Sequence, residues 1–178
     1  MGYRLTHDST YLEVLKTGSK SLATRFDSKI GAINSWGPRG KWQYPVIIDN
    51  MMNLEMLSFV AKKTGKESYM DMINAHAQTT LKHHFRPDNS CFHVVSYDTI
   101  TGLPHAKNTH QGYADESAWA RGQAWALYGY TMMYRETGKP EYLEQARKVA
   151  GFIKNHPTCL QTKYRIGISM HRIFQMHS

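Results

Sequence analysis

Apolar residues return at intervals of three and four in three stretches of the chain. These are Leu12, Leu15 and Leu22, then Met70, Ile73, Ala77 and Leu81, then Leu143, Ala146, Val149 and Ile153. That period gathers them on one face of a helix. Each stretch follows the same kind of turn. Thr64-Gly65-Lys66-Glu67-Ser68-Tyr69-Met70 recurs as Thr137-Gly138-Lys139-Pro140-Glu141-Tyr142-Leu143, with a weaker copy at Thr6-His7-Asp8-Ser9-Thr10-Tyr11-Leu12. In two of the copies another helix precedes the turn, at about 50–63 and 117–136. Gly65 and Gly138 suit the left-handed residue that ends a helix, and Pro140 suits the first turn of the next. The repeating unit is therefore a helical hairpin, and the fold class it predicts is all-α.

In such an array the long connections emerge on one face. One runs over about 27–45 and the other over about 86–116, and loops of that length in a compact domain carry function or are disordered. Their content of Trp36, Trp42, His93, His105, His110 and Tyr113 favours function. Within the second, the alternation of Cys91-Phe92-His93-Val94-Val95-Ser96-Tyr97 predicts a short strand or extended loop. After Pro157 the repeat ends. Residues 158–178 contain no acid and carry Lys163, Arg165 and Arg172. The expected division is a helical domain over 1–157 and a divergent basic tail over 158–178.

Composition narrows the class. The 178 residues are 41% hydrophobic and 20% charged, which fits one globular domain with a sizeable core. No apolar run approaches the ~20 residues of a membrane span, so no membrane partner is expected. Met1–Asp8 lacks the apolar core of a secretory signal, and localisation stays open. Cys91 and Cys159 are too far apart in sequence for metal-type spacing or a disulfide framework. The formal charge of +8 points to an acidic partner. The positive residues are scattered and no nucleic-acid motif is present, so nucleic acid is set aside; an anionic carbohydrate fits the charge.

Two segments carry candidate chemistry. In Gln111–Trp125, two tryptophans, an arginine, two glutamines and two acids surround a helix start. Arg121 and Trp125 stand four apart and share a helix face. A guanidinium beside an indole grips a carboxylate while a sugar ring lies on the aromatic; the plainer alternative is an interface helix with an Arg–Glu pair. In Tyr44–Leu54, a short apolar run delivers Asp49 to a helix start, as an N-cap or as a proton donor and acceptor. Met51, Met52 and Trp42 would supply apolar surroundings that raise its pKa. His83 and His84 read as solvated charges at a helix C-terminus, and His93 as a ligand contact or as loop packing. No His–acid spacing suits a metal, and neither a phosphate loop nor a nucleophile elbow occurs. No metal or cofactor is expected.

Several of these residues occur in a familiar order: Ile47-Ile48-Asp49-Asn50-Met51-Met52-Asn53, Phe85-Arg86-Pro87-Asp88, His93-Val94-Val95 and Thr109–Trp125. Over about residues 3–157 the chain resembles the unsaturated glucuronyl hydrolases, which act on the fragments that polysaccharide lyases release. The resemblance implies a six-hairpin α/α barrel, incomplete in this chain, and unsaturated uronic acid oligosaccharides as the partner. It implies hydration of the C4=C5 double bond of the terminal uronic acid, with Asp49 as general acid/base. His93, Thr109, Gln111, Arg121 and Trp125 then become substrate-binding residues, and Asp115 and Glu116 supporting or capping residues. The family's second essential aspartate sits in a His-Asp-Leu-Gly-Phe-like motif with no counterpart here, and the family is roughly twice this length. The chain thus reads as a truncated member that begins just after that motif. Without a second carboxylate, Asp49 loses one influence that holds such a group protonated. Exposed barrel faces imply self-association. The alternatives are a catalytically inactive fragment, a rhamnogalacturonyl-type unsaturated uronyl hydrolase, and a protein-binding helical scaffold.

Overall fold

The computed structural model describes residues 2–157; the basic tail expected at 158–178, with Cys159, lies outside the described residues. The described residues contain three helical hairpins. They are α1 (Gly2–Thr6) with α2 (Ser9–Ala23), α3 (Asn50–Thr64) with α4 (Glu67–His83), and α5 (Ala120–Thr137) with α6 (Pro140–Asn155).

The repeated turn has one geometry in all three. His7 (φ 56°), Gly65 (φ 70°) and Gly138 (φ 70°) occupy the same left-handed position. Each donates its N–H to the carbonyl four residues earlier, on Tyr3, Ala61 and Tyr134. This closes the helix end with one last intrahelical bond before the left-handed residue turns the chain. The weak first copy therefore differs in residue type and keeps the backbone. Asp8 then caps α2 by accepting the Thr10 N–H at 2.8 Å.

Helices α3 and α5 pack against each other through Met51, Leu54, Leu57, Ala126, Tyr130 and Met133, all fully buried. Tyr130 Oη donates to the Ala77 carbonyl at 2.9 Å and ties α5 to α4. The α3–α5 approach is close at one point. A Cβ on Gly129 would stand 2.4 Å from Met51 Cβ, so only glycine permits this spacing. We expect Gly129→Ala to cost about 1–3 kcal/mol through overpacking, read as a lower melting temperature.

The long connections do not stay irregular. The first forms the antiparallel pair β1 (Phe26–Asp27) and β2 (Ala32–Ile33) and then β3 (Tyr44–Ile47). The second forms β4 (Val94–Tyr97) and β5 (Pro104–Asn108). Strands β3, β4 and β5 make an antiparallel sheet in that order. The all-α frame thus carries two small sheets on its loop-bearing face. Pro45 is tolerated because β3 is an edge strand, and its outer edge is tied down by Ser35 N–H to Pro45 O and Ile47 N–H to Ser35 Oγ, both 2.9 Å.

One expectation is overturned here. His84 is not a solvated helix-end charge; it is fully buried, and its Nε2 donates to the Val46 carbonyl at 3.0 Å. His76, also fully buried, accepts the Ile33 N–H on Nδ1 at 2.9 Å. The two rings pin the sheets onto α4. Burial pushes each pKa down to about 3, so both are neutral. His83 alone keeps partial exposure, edge-on to Tyr97.

Candidate active site

The β3–β4–β5 register builds the site. Ile47 pairs with Val94 and Val94 with Asn108, and the Ile48 N–H reaches the His93 carbonyl at 3.0 Å. Asp49, His93 and Thr109 therefore leave three adjacent strands at the same end. A slip of one residue would turn this set to the opposite face. Asn50 fixes the start of α3 from below, donating to the Ile33 carbonyl at 2.8 Å.

Asp49 stands at the helix start but makes no side-chain capping bond. Its side chain is 15% exposed, and Oδ2 is buried without a hydrogen-bond partner. Burial raises its pKa, opposed by hydrogen bonding from its own backbone, by the Arg121 charge and by the Trp125 indole. No neighbouring carboxylate figures among these causes. Burial raises the pKa without help from a second acid among the described residues.

His93 Nε2 lies 3.8 Å from Asp49 Oδ2. Its Nδ1 accepts two backbone N–H groups, from His110 at 3.0 Å and Gln111 at 3.2 Å. The ring meets Trp119, centroids 4.4 Å apart, and stacks at 6.5 Å with His110. Burial, then His110 and Arg121, push its pKa down to about 4.

The 109–118 loop that wraps His93 is braced from within. The Asp115 carboxylate accepts the Thr109 N–H at 2.7 Å and the Asn108 amide at 2.9 Å, bonds that hold its pKa low. Arg86, stacked on Phe92, donates to the Asp115 carbonyl at 2.8 Å. Glu116 lies 3.7 Å from Arg86 Nε. Thr109 Oγ1 accepts the Gly112 N–H at 2.7 Å and lies 3.5 Å from His93 Nδ1, so this hydroxyl serves both its own loop and the histidine.

Arg121 donates to Gln111 Oε1. Its guanidinium lies 4.1 Å over Trp119, a ring that the four-residue spacing did not point to. The reason is local. Trp119 closes back over the first turn of α5, where a Cβ on Gly122 would stand 2.8 Å from its ring. Trp125 instead directs its indole toward Asp49 and meets Tyr128 edge-on at 6.4 Å. Structure thus brings together Asp49, His93, Gln111, Arg121 and Trp125, and adds Trp119.

Beyond His110 lies a cluster in which sequence reading gave a role to Trp42 alone, as apolar surroundings for Asp49. Trp36 and Trp42 meet His110 at 5.6 and 5.4 Å and each other at 5.5 Å. The aromatic density of the two loops was its only sequence signal. An acid buried at the end of a row of rings, with a guanidinium alongside, can hold an anionic sugar and pass it a proton. Two grooves lie elsewhere, one between Arg86, Glu116 and α6, the other along Phe26, Trp36 and Tyr44. Among the described residues no group of three or more His, Cys, Asp or Glu side chains is placed to hold a metal ion. No helix among them is long and apolar enough to cross a membrane.

The description of Glycosyl Hydrolase Family 88 matches residues 1–163. This chain belongs to glycosyl hydrolase family 88. An unsaturated glucuronyl hydrolase of Formosa agariphila is 50% identical over 147 residues, which are 82% of this chain and 37% of that protein. An unsaturated chondroitin disaccharide hydrolase of Streptococcus pyogenes serotype M1 is 38% identical, over 84% of this chain and 38% of its own length. The crystal structure of an unsaturated glucuronyl hydrolase specific for heparin superposes with a TM-score of 0.84 at 52% identity, covering 87% of this chain and 42% of that one. The family 88 chain described here thus spans about two-fifths of the length of these relatives, and its hairpins form part of their α/α barrel.

Proposed function

We propose that this family 88 chain carries the proton-transfer side of an unsaturated uronyl hydrolase, acting on the terminal unsaturated uronic acid of lyase-derived oligosaccharides. The observation that carries the reading is the buried Asp49 carboxyl, its pKa raised by desolvation, at the end of an aromatic row that includes Arg121 and Trp119.

Asp49 in its acid form gives its proton to C4. Positive charge develops at C5 and water adds there, returning a proton to the Asp49 carboxylate. The hemiketal that results rearranges and the glycosidic bond opens. One carboxyl therefore serves first as acid and then as base, so the two-carboxylate spacing of ordinary glycosidases does not apply. Arg121 pairs with the uronate carboxylate, Gln111 holds Arg121 in place, and Trp125 keeps its indole N–H toward Asp49. Thr109 shapes the loop. Glucuronyl rather than rhamnogalacturonyl substrates are favoured by the Asp49–Asn53 run and the Arg121–Trp125 block.

Leu5, Tyr11 and Val14 stand exposed on α1 and α2, and Met52 and Tyr128 on α3 and α5. These apolar faces support self-association through a second copy. The test mixes purified chain with unsaturated chondroitin and heparin disaccharides and follows the ultraviolet absorbance of the conjugated C4=C5 uronate, with sedimentation velocity on the same sample. Loss of the chromophore is expected. A flat trace from folded protein would assign the chain as a catalytically inactive fragment.

A further inference from the structure

The histidine beside Asp49 sits in an unusual hydrogen-bonding position. Its Nδ1 receives two backbone N–H groups, from His110 at 3.0 Å and Gln111 at 3.2 Å. A nitrogen that accepts from N–H donors cannot itself carry a proton, because two hydrogens would then face each other. The ring proton must reside on Nε2. Nε2 in turn faces Asp49 Oδ2 across 3.8 Å, beyond hydrogen-bond distance, and Oδ2 has no hydrogen-bond partner. A turned-over ring would put Cδ2 in place of Nδ1 and lose both amide bonds. Trp119 packs on the ring at 4.4 Å, His110 lies at 6.5 Å, and the side chain is only 1% exposed.

We propose that His93 is a positioning residue for Asp49: the His110 and Gln111 amides lock it as the neutral Nε2–H tautomer, which presents a fixed N–H to Oδ2. The His93–Asp49 contact is then a donor facing an acceptor and not an ion pair. Forming the imidazolium would need a proton on Nδ1, at the cost of both loop bonds. The other polar and charged groups around the pair act in known directions. Arg121 from α5, His110 from the 109–118 loop and burial all oppose a cationic His93. The Trp125 indole and Arg121 favour the Asp49 carboxylate, and burial opposes it. The Cys91 thiol on the β4 side is itself pushed up to about 12 by burial and stays neutral.

This arrangement gives the 109–118 loop a function beyond contact with substrate. Asp115 braces the loop, the loop amides fix the tautomer of His93, and His93 stabilises the carboxylate that Asp49 becomes once it has given up its proton. Sequence reading placed His93 on the substrate; here it acts through Asp49. The inference rests on Asp49 as the acid/base, but its test is independent of turnover.

The full chain, labelled with ¹⁵N in histidine and ¹³C in aspartate, is titrated by NMR, with His93 assigned by its absence from the His93→Gln spectrum. The expected His93 signal is the Nε2–H tautomer, unchanged from pH 7.5 to pH 5. A proton on Nδ1, or imidazolium forming near the ordinary histidine value of ~6.5, would overturn the proposal. In a second arm the Asp49 carboxyl midpoint is expected to rise by roughly 0.5 pH unit in His93→Ala, which loses the N–H dipole facing the carboxylate across 3.8 Å. His93→Gln, whose amide nitrogen stands near the place of Nε2, is expected to restore it. A merely structural histidine would leave that midpoint unmoved, or move it equally in both variants. Should His93→Ala fail to fold, the wild-type tautomer decides. A locked tautomer in a chain that leaves the uronate chromophore intact would sink the reaction and keep the positioning role.

Discussion

Asp49→Asn is expected to lower the rate of uronate chromophore loss by about 10²–10⁴, the usual worth of a positioned general acid/base, and to leave the fold intact. The amide is nearly isosteric, and the site places few demands on the side chain that it cannot meet. Asp49 makes no capping bond, so helix α3 loses nothing at its start. Oδ2 is already without a hydrogen-bond partner, and the amide oxygen can still accept from the Trp125 indole. What disappears is the transferable proton. The pH dependence follows from the direction of the shift. Asp49 must be protonated to begin the reaction, and burial raises its pKa above the ordinary carboxylate value. Activity is therefore expected to persist to higher pH than an exposed aspartate would allow, and to fall as pH rises through the raised value. A rate profile and the melting temperature of Asp49→Asn, taken together, separate loss of chemistry from loss of structure. Retention of the wild-type rate in a folded Asp49→Asn chain would remove Asp49 from the mechanism.

Acid is expected to unfold this protein well before its carboxylates account for it. His76 and His84 are fully buried and neutral, with pKa values pushed down to about 3, whereas in the unfolded chain each titrates near ~6.5. Between those values the unfolded state binds more protons, so stability rises with pH. The contribution is complete above about 6.5 and drains away as pH falls toward 3. At pH 5 each histidine costs roughly 2 kcal/mol, since one and a half pH units at about 1.4 kcal/mol each separate that pH from the unfolded value. Two such groups remove about 4 kcal/mol, and His93, pushed down to about 4, adds about 2 more, against a total stability of only ~5–15 kcal/mol. Urea denaturation at pH 7.5 and pH 5 reads the difference directly. In His84→Gln, whose amide can still donate to the Val46 carbonyl, the slope is expected to fall by about a third. A stability that is flat from pH 7.5 to pH 5 would show that these rings are hydrated in the folded chain.

Both predictions turn on residues whose types were visible in the sequence and whose environments were not. The helical hairpins were legible because their signals are local. Apolar spacing of three and four, a left-handed turn residue and Pro140 each act within one or two turns of chain. The helices start and stop close to where those signals put them, and even the weak first turn keeps the backbone of the other two at His7. Asp49, His93, Gln111, Arg121 and Trp125 were legible through their order along the chain and through its resemblance to a family.

What lay beyond reach depended on distant pairing. His84 looked like a helix-end charge because the sequence shows the helix and not the strand above it; β3 arrives from 38 residues earlier to supply the Val46 carbonyl. Arg121 was matched to Trp125 by helical spacing, yet Trp119, one turn outside that logic, folds back to take its guanidinium. The tautomer of His93 is set by backbone amides 17 and 18 residues away, and no sequence pattern encodes a backbone N–H. The chain by itself determined the hairpin frame and the turn geometry, and it singled out Asp49 as the candidate acid. Only the tertiary structure decided which polar groups are buried and what faces them, because protonation depends on desolvation and on hydrogen-bond partners that long-range strand register alone brings together.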